Sequence, residues 1–161
     1  MTHHLFEDND LGWTAHLRHV FLIRDPAEIV SSYSRVRGTC ELQDIGIEQQ
    51  LFLYNSISEI TGQDIPVIDS NDVLRAPEAL TFELCQKLDV PYSSNMLSWP
   101  AGKRESDGVW AEYWYDSVEA STGFKPYKRS EPVLDSQQRS VVDQATPFYL
   151  DLYARRLSIS P

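Results

Sequence analysis

His19-Val20-Phe21-Leu22-Ile23-Arg24-Asp25-Pro26-Ala27-Glu28-Ile29-Val30-Ser31-Ser32-Tyr33 is the stretch that decides the fold of this chain. His19 to Ile23 is nearly all apolar, as in a parallel strand covered on both faces. The run stops at an arginine, an acid and a proline, and a helical pattern follows. Asp25 at the N-cap, Pro26 at the first helical position and Glu28 three residues after the cap are start signals. Ile29, Val30 and Tyr33 supply apolar contacts, and Gly38 supplies the stop. A buried strand therefore delivers a cation to the mouth of a helix. Unpaired N–H groups and about half a positive charge gather there and attract anions. Arg24 adds a planar fork that suits phosphate. The segment predicts a phosphate-binding corner.

Reading outward, the spacing of Ile47, Leu51, Tyr54, Ile57 and Ile60 predicts a helix from about Gly46 to Thr61, stopped by Gly62. Upstream, Asp10 caps a short helix through Leu17. Downstream, Pro66-Val67-Ile68-Asp69 reads as a short strand ending in polar Ser70-Asn71-Asp72. Pro77 opens a third helix with Leu80, Leu84, Cys85 and Leu88 on its buried face. Strand, helix, strand, helix in that order predicts an α/β fold with parallel strands. Ser93 to Pro132 is aromatic, punctuated by Gly and Pro, and mostly irregular. A loop region of that length in a compact domain is usually functional or disordered, and its aromatic content argues against disorder. Asp135 to Leu157 is helical again, with Val141, Ala145, Phe148 and Leu152 on one face and Pro147 expected to kink or split it.

The bulk properties fit a cytoplasmic globular chain. Its 161 residues suffice for one domain with a real core, and 42% hydrophobic and 24% charged residues are ordinary values. A net charge of −10 argues against general affinity for nucleic acid or anionic membranes but leaves room for one basic pocket. Cys40 and Cys85 give neither a disulfide framework nor a metal spacing, so no metal is expected and a reducing cytosol is the default. No apolar run approaches the ~20 residues of a membrane span.

Arg24 and Ser32 are the first candidate site residues. Ser32 falls about two helical turns after the strand end, on the face shared with Asp25 and Glu28. A guanidinium and a hydroxyl there can close on one phosphate. Equally, Arg24 can pair with Asp25 or Glu28 and leave Ser32 merely solvated. Both readings stand on the residues alone. Trp99, Trp110, Tyr113, Trp114 and Tyr115 can line an acceptor pocket, though aromatic rings usually cover a core. His16 and His19 flank the first strand and read as structural. Lys125, Lys128 and Arg129 around Tyr127 read as surface.

The run Ile23 to Tyr33 resembles the 3′-phosphate-binding motif of sulfotransferases, a strand followed by Arg-(Asp/Asn)-Pro, an acid, three residues and Ser-Tyr. Three further stretches agree. Ile68-Asp69-Ser70-Asn71-Asp72-Val73-Leu74 through Leu88-Asp89-Val90-Pro91 resembles the family's later strand, turn and helix. Lys103-Arg104-Glu105-Ser106-Asp107-Gly108-Val109-Trp110 resembles the late basic loop that ends in Gly-x-Trp and closes over the nucleotide. Thr2-His3-His4-Leu5 resembles the segment that carries the catalytic histidine. Met96 to Gly102, Asp107 to Ala111 and Ser117 to Phe124 narrow the likeness to a bacterial and fungal group of sulfotransferase-like P-loop proteins, some of which carry a branched-chain aminotransferase label.

The resemblance implies a P-loop NTPase-like α/β three-layer sandwich and a 3′-phosphoadenosine 5′-phosphosulfate co-substrate. It assigns Arg24 and Ser32 to the 3′-phosphate, Lys103, Arg104 and Gly108 to cofactor binding, and the proton-accepting role to His4 or His3. The implied reaction moves a sulfuryl group to a hydroxyl or amine of a small-molecule acceptor. The 161 residues hold no G-x-x-x-x-G-K-S/T and no Gly-rich turn between a strand and a helix. The expectation is a single sulfotransferase-like domain in its C-terminal portion, with Met1 internal to a longer protein and the first strand missing from the parallel sheet. Such a chain is expected to be weakly active or inactive. Its open sheet invites a homo-oligomeric partner. The alternative is a non-catalytic nucleotide- or partner-binding module of the same fold. A pyridoxal-phosphate aminotransferase fits less well, because none of the four lysines, Lys87, Lys103, Lys125 and Lys128, sits in an evident pyridoxal-phosphate setting.

Overall fold

The computed structural model describes Leu5 and residues 8–108 and 115–158. Residues up to 71 and from 128 onward form one compact unit, and residues 72–127 form a second. The architecture is α/β, mostly helical, around a small parallel sheet.

In the first unit, β1 (Phe21–Ile23) pairs in parallel with β2 (Val67–Asp69), with Ile23 opposite Asp69. The chain after the last helix returns beside β2, where the Leu157 N–H donates to the Val67 carbonyl at 2.8 Å. β2 is therefore flanked on both sides, and among the described residues β1 forms an edge. Helix α1 (Pro26–Arg37) follows β1 directly, capped by Asp25, whose carboxylate accepts from the Ala27 N–H at 2.8 Å. Gly38 closes α1 at φ +86°, a conformation that side chains with a Cβ rarely adopt. A short helix α2 (Leu42–Ile45) leads into α3 (Ile47–Thr61), which Gly62 ends in the left-handed region.

Helix α4 (Ser70–Arg75) begins where β2 stops, and α5 (Pro77–Leu88) lies in the second unit. That unit also holds a 3-10 turn at Ser94–Leu97 and a short helix α6 (Asp116–Glu119). Its remaining described residues are irregular, as expected for the aromatic stretch. Leu80 and Cys85 are buried on α5, and Phe82 meets Tyr92 edge to face at 5.6 Å. Trp99 donates to the Ser121 hydroxyl at 2.9 Å and packs edge-on against Phe124.

Helix α7 (Ser136–Ala154) completes the first unit, packing on α1, α3 and both strands. Its start is a capping box in which Asp135 and Gln138 bond reciprocally. Two clusters form the core. Phe21, Ile23, Ile47, Leu53, Ile57, Val67, Ala145 and Leu152 meet in the larger one, and Val30, Cys40 and Val141 in the smaller.

Two expectations need correction. Pro147 does not split the last helix, which runs unbroken through it. The carbonyl deprived of an N–H partner belongs to Asp143, an exposed residue, so water can satisfy it. Nor is β1 covered on both faces. Phe21 and Ile23 are buried, but strand alternation turns Leu22 outward, where it is 57% exposed.

Candidate functional site

Parallel strands in register place their C-terminal ends side by side. Arg24 and Asp25 follow β1, and Ser70 and Asn71 follow β2, at one edge of the sheet. In open α/β sheets this edge is where ligands bind. Helix α1 adds its N-terminal N–H groups to the same place.

Among the described residues Arg24 is held by one contact. Its Nε donates to Oε2 of Glu28 at 2.8 Å, and its side chain is 47% exposed, against 9% for Glu28. The bland reading of the sequence, an arginine paired with Glu28, is thus realised. The expected capping contact of Glu28 is replaced, since its carboxylate is engaged by Arg24 and, through Oε1, by Asn71 Nδ2 at 3.4 Å. Ser32 lies one turn beyond Glu28 on α1 and is partly buried. Glu28 and Ser32 share one ridge of α1, Arg24 reaches that ridge through Glu28 from just outside the helix, and the terminal nitrogens of the guanidinium are unengaged among the described residues.

Beneath this ridge sits a buried carboxylate that sequence reasoning did not single out. Asp69, 1% exposed, accepts from the Asn71 N–H at 2.8 Å and from the Tyr149 hydroxyl at 2.9 Å. Burial, then the Asp69 carboxylate, and more weakly Asp25, push the Tyr149 phenol well above its ordinary range. Tyr149 therefore stays a proton donor to Asp69 at physiological pH. The Ser70 hydroxyl at this edge is buried with no hydrogen-bond partner among the described residues. The signal for Asp69 was present, since an acid ends an apolar strand as Arg24 does. Tyr149, eighty positions away, gave none.

Lys103, Arg104 and Gly108 belong to the second unit, where all three are exposed. The Arg104 N–H donates to the Asp107 carboxylate at 2.9 Å, and the Asp107 N–H returns to the Arg104 carbonyl. This part of the basic loop is a surface turn. His3, His4, Val109, Trp110, Tyr113 and Trp114 lie outside the described residues. His19 is structural, as read, with Nε2 donating to the Thr14 carbonyl at 2.9 Å. Cys40 lines a groove of about 410 Å³ with Glu41, Glu48 and Gln144, but burial and Asp44 push its thiol up to about 11, so it is a poor nucleophile. Among the described residues no group of three or more His, Cys, Asp or Glu is placed to hold a metal ion. No described helix is long and apolar enough to cross a membrane.

Residues 1–156 match the family described as sulfotransferase domain. The chain belongs to that family. The sulfotransferase-domain chain also resembles two proteins of Arabidopsis thaliana. It is 33% identical over 132 residues to branched-chain-amino-acid aminotransferase-like protein 1, covering 82% of this chain and 23% of that protein. It is 28% identical over 150 residues to branched-chain-amino-acid aminotransferase-like protein 2, covering 91% of this chain and 26% of that protein. The sulfotransferase-domain chain thus spans about a quarter of the length of these curated relatives. No solved structure matches it.

Proposed function

We propose that this chain binds the 3′-phosphate of 3′-phosphoadenosine 5′-phosphosulfate at Arg24 and Ser32, within a P-loop NTPase-like three-layer sandwich, for sulfuryl transfer to a small-molecule hydroxyl or amine. The observation that carries the reading is the placement of Arg24. A half-exposed guanidinium stands at the C-terminal edge of parallel strands, beside a helix N-terminus and tied to Glu28, one turn before Ser32 on that helix. The residues fit a phosphate there. Arg24 supplies two charge-assisted donors, Ser32 a hydroxyl, and the helix a partial positive charge.

In this reading Arg24 and Ser32 anchor the remote phosphate, so binding energy far from sulfur orients the reacting end. His4 or His3 takes the proton from the acceptor, an imidazole being suited to that task near neutral pH. The acceptor oxygen or nitrogen bonds to sulfur as the bond from sulfur to the phosphate oxygen breaks, and the electron pair leaves on phosphate. By the family resemblance, Lys103, Arg104 and Gly108 are assigned to cofactor binding in this reading as well. Buried free thiols at Cys40 and Cys85 suit a reducing compartment such as the cytoplasm.

A second reading is a nucleotide-binding module without turnover by the isolated 161 residues. The 161 residues hold no Gly-rich loop of the kind that cradles the reactive end of such a co-substrate. The aminotransferase-like names belong to relatives matched over about a quarter of their length. Nothing at the strand edge supports that chemistry here.

Calorimetry with adenosine 3′,5′-bisphosphate tests the common part. Arg24→Ala is expected to weaken binding by roughly ten- to a hundredfold and Ser32→Ala by less, as a charged and a neutral hydrogen bond differ. Unchanged binding in Arg24→Ala would remove the reading. Turnover of the donor by the verified 161-residue chain decides between enzyme and binding module.

A further inference from the structure

We propose that Glu28 is the positioning residue of the phosphate corner. It holds Arg24 by one edge of the guanidinium so that the terminal nitrogens face the incoming 3′-phosphate. This rests on the 3′-phosphate reading of Arg24 and deepens it.

The contact geometry points that way. The ion pair runs through Nε at 2.8 Å, the edge nearest the chain. A carboxylate acting as a stand-in for the phosphate should take the terminal fork, which is the stronger two-point contact. Here the fork stays open among the described residues. Burial agrees with this. The Glu28 side chain is the fixed partner, 9% exposed, and the Arg24 side chain is the presented one, 47% exposed.

Glu28 is itself held. Its Oε1 accepts from Asn71 Nδ2 at 3.4 Å, and the Asn71 N–H is tied to Asp69 at 2.8 Å. Asp69 in turn takes the Tyr149 hydroxyl at 2.9 Å. The chain of bonds runs from α7 through the end of β2 to α1 and ends on the guanidinium. An arginine loses much rotamer freedom when it binds a ligand, and one already oriented loses less. The charge of Glu28 opposes a second anion, but at a half-exposed site solvent weakens that repulsion. Orientation outweighs it.

Adenosine 3′,5′-bisphosphate and adenosine 5′-monophosphate are titrated into the 161-residue chain and into Glu28→Ala, Glu28→Gln, Asn71→Ala and Arg24→Ala. Glu28→Ala is expected to weaken the bisphosphate on the order of tenfold, about one hydrogen bond's worth of pre-organisation. Glu28→Gln, which keeps an acceptor for Nε, should recover most of that loss. Asn71→Ala should fall between wild type and Glu28→Ala. Affinity for the 5′-monophosphate, which lacks the 3′ group, should not change in any of them. If Glu28→Ala binds the bisphosphate as well as wild type while Arg24→Ala does not, the proposal is overturned, and Glu28 is a bystander or a competing anion. An equal loss for both nucleotides overturns it too, as a general structural defect. If Arg24→Ala itself binds normally, the 3′-phosphate reading falls and this proposal with it. Should Glu28→Ala not fold, wild-type bisphosphate affinity in Asn71→Ala overturns the proposal unaided.

Discussion

Tyr149 and Asp69 show how one residue pair ties the last helix to the strand edge. Asp69 is 1% exposed, and the Tyr149 hydroxyl donates to it at 2.9 Å. Tyr149→Phe leaves a buried carboxylate short of one donor at nearly constant volume. The expected cost is about 1–2 kcal/mol, because the Asn71 N–H remains. Urea denaturation of the two proteins measures it directly. The pair also sets an alkaline limit. Burial and Asp69 raise the phenol above its ordinary value of 10.0 in the folded chain, while the unfolded chain ionises near that value. Above pH 10 the unfolded state releases a proton that the folded state keeps, so rising pH favours unfolding. The contribution of Tyr149 is thus complete below pH 10 and declines above it, and the decline should be shallower in Tyr149→Phe. An identical alkaline decline in both proteins would assign the effect to other groups.

At the scale of elements, α1 is fixed at both ends, and its C-terminal end offers the cleaner test. Gly38 sits at φ +86°, with open space where a Cβ would go. Any cost of Gly38→Ala is therefore backbone strain rather than collision, and about 1–2 kcal/mol is expected. Thermal unfolding of Gly38→Ala beside Gly108→Ala checks this, because Gly108 also has open space but no positive φ. The same locality explains what the sequence made legible. Asp25-Pro26, Gly38, Gly62 and the start at Asp135 act within one turn of chain, so composition alone marks them. Helix α2 escaped notice because it is four residues held by the Glu41–Asp44 box, with no apolar repeat to mark it. Helix α4 escaped because Ser70-Asn71-Asp72 has turn composition, and only the Asp69 carboxylate on the Asn71 N–H starts the turn as a helix. Glu28 was read as a helix-start residue or as a partner of Arg24. The second holds, but the further bond from Asn71 comes from 43 residues away and gave no local signal. Arg24 and Ser32 stood out as candidates because the strand end, the Asp25-Pro26 start and α1 follow one another without a break in the chain. The bond from Tyr149 to Asp69 was not legible, since only tertiary packing brings residues 80 apart together.

Across the whole molecule, stability is concentrated in one place. Both hydrophobic clusters draw on Leu11 to Val67 and on Val141 to Leu152, all within the first unit. Among the described residues, the second unit has Leu80 and Cys85 as its buried apolar residues, and its irregular stretch is largely exposed from Pro100 to Glu105 and from Phe124 to Pro126. Segments with few buried contacts open at low free energy and are cut first by proteases. Trypsin at low ratio should therefore cleave first after Lys103, Arg104 or Lys128, all exposed in irregular chain. Arg35 and Arg37 are exposed too, but they sit on α1, whose backbone must unwind before a protease can seat it. Mass spectrometry of the first fragments reads the order. Early cleavage at Arg35 or Arg37, ahead of Lys103 and Arg104, would place the weak region at the C-terminal end of α1 instead. Nucleotide sharpens the comparison. A ligand held by Arg24 stabilises the first unit by mass action and slows cleavage at Arg24, Arg35 and Arg37. Cleavage at Lys103 and Arg104 that slows in parallel with added adenosine 3′,5′-bisphosphate would support their assignment to cofactor binding. If only the first unit responds, the anchoring phosphate site acts without the basic loop.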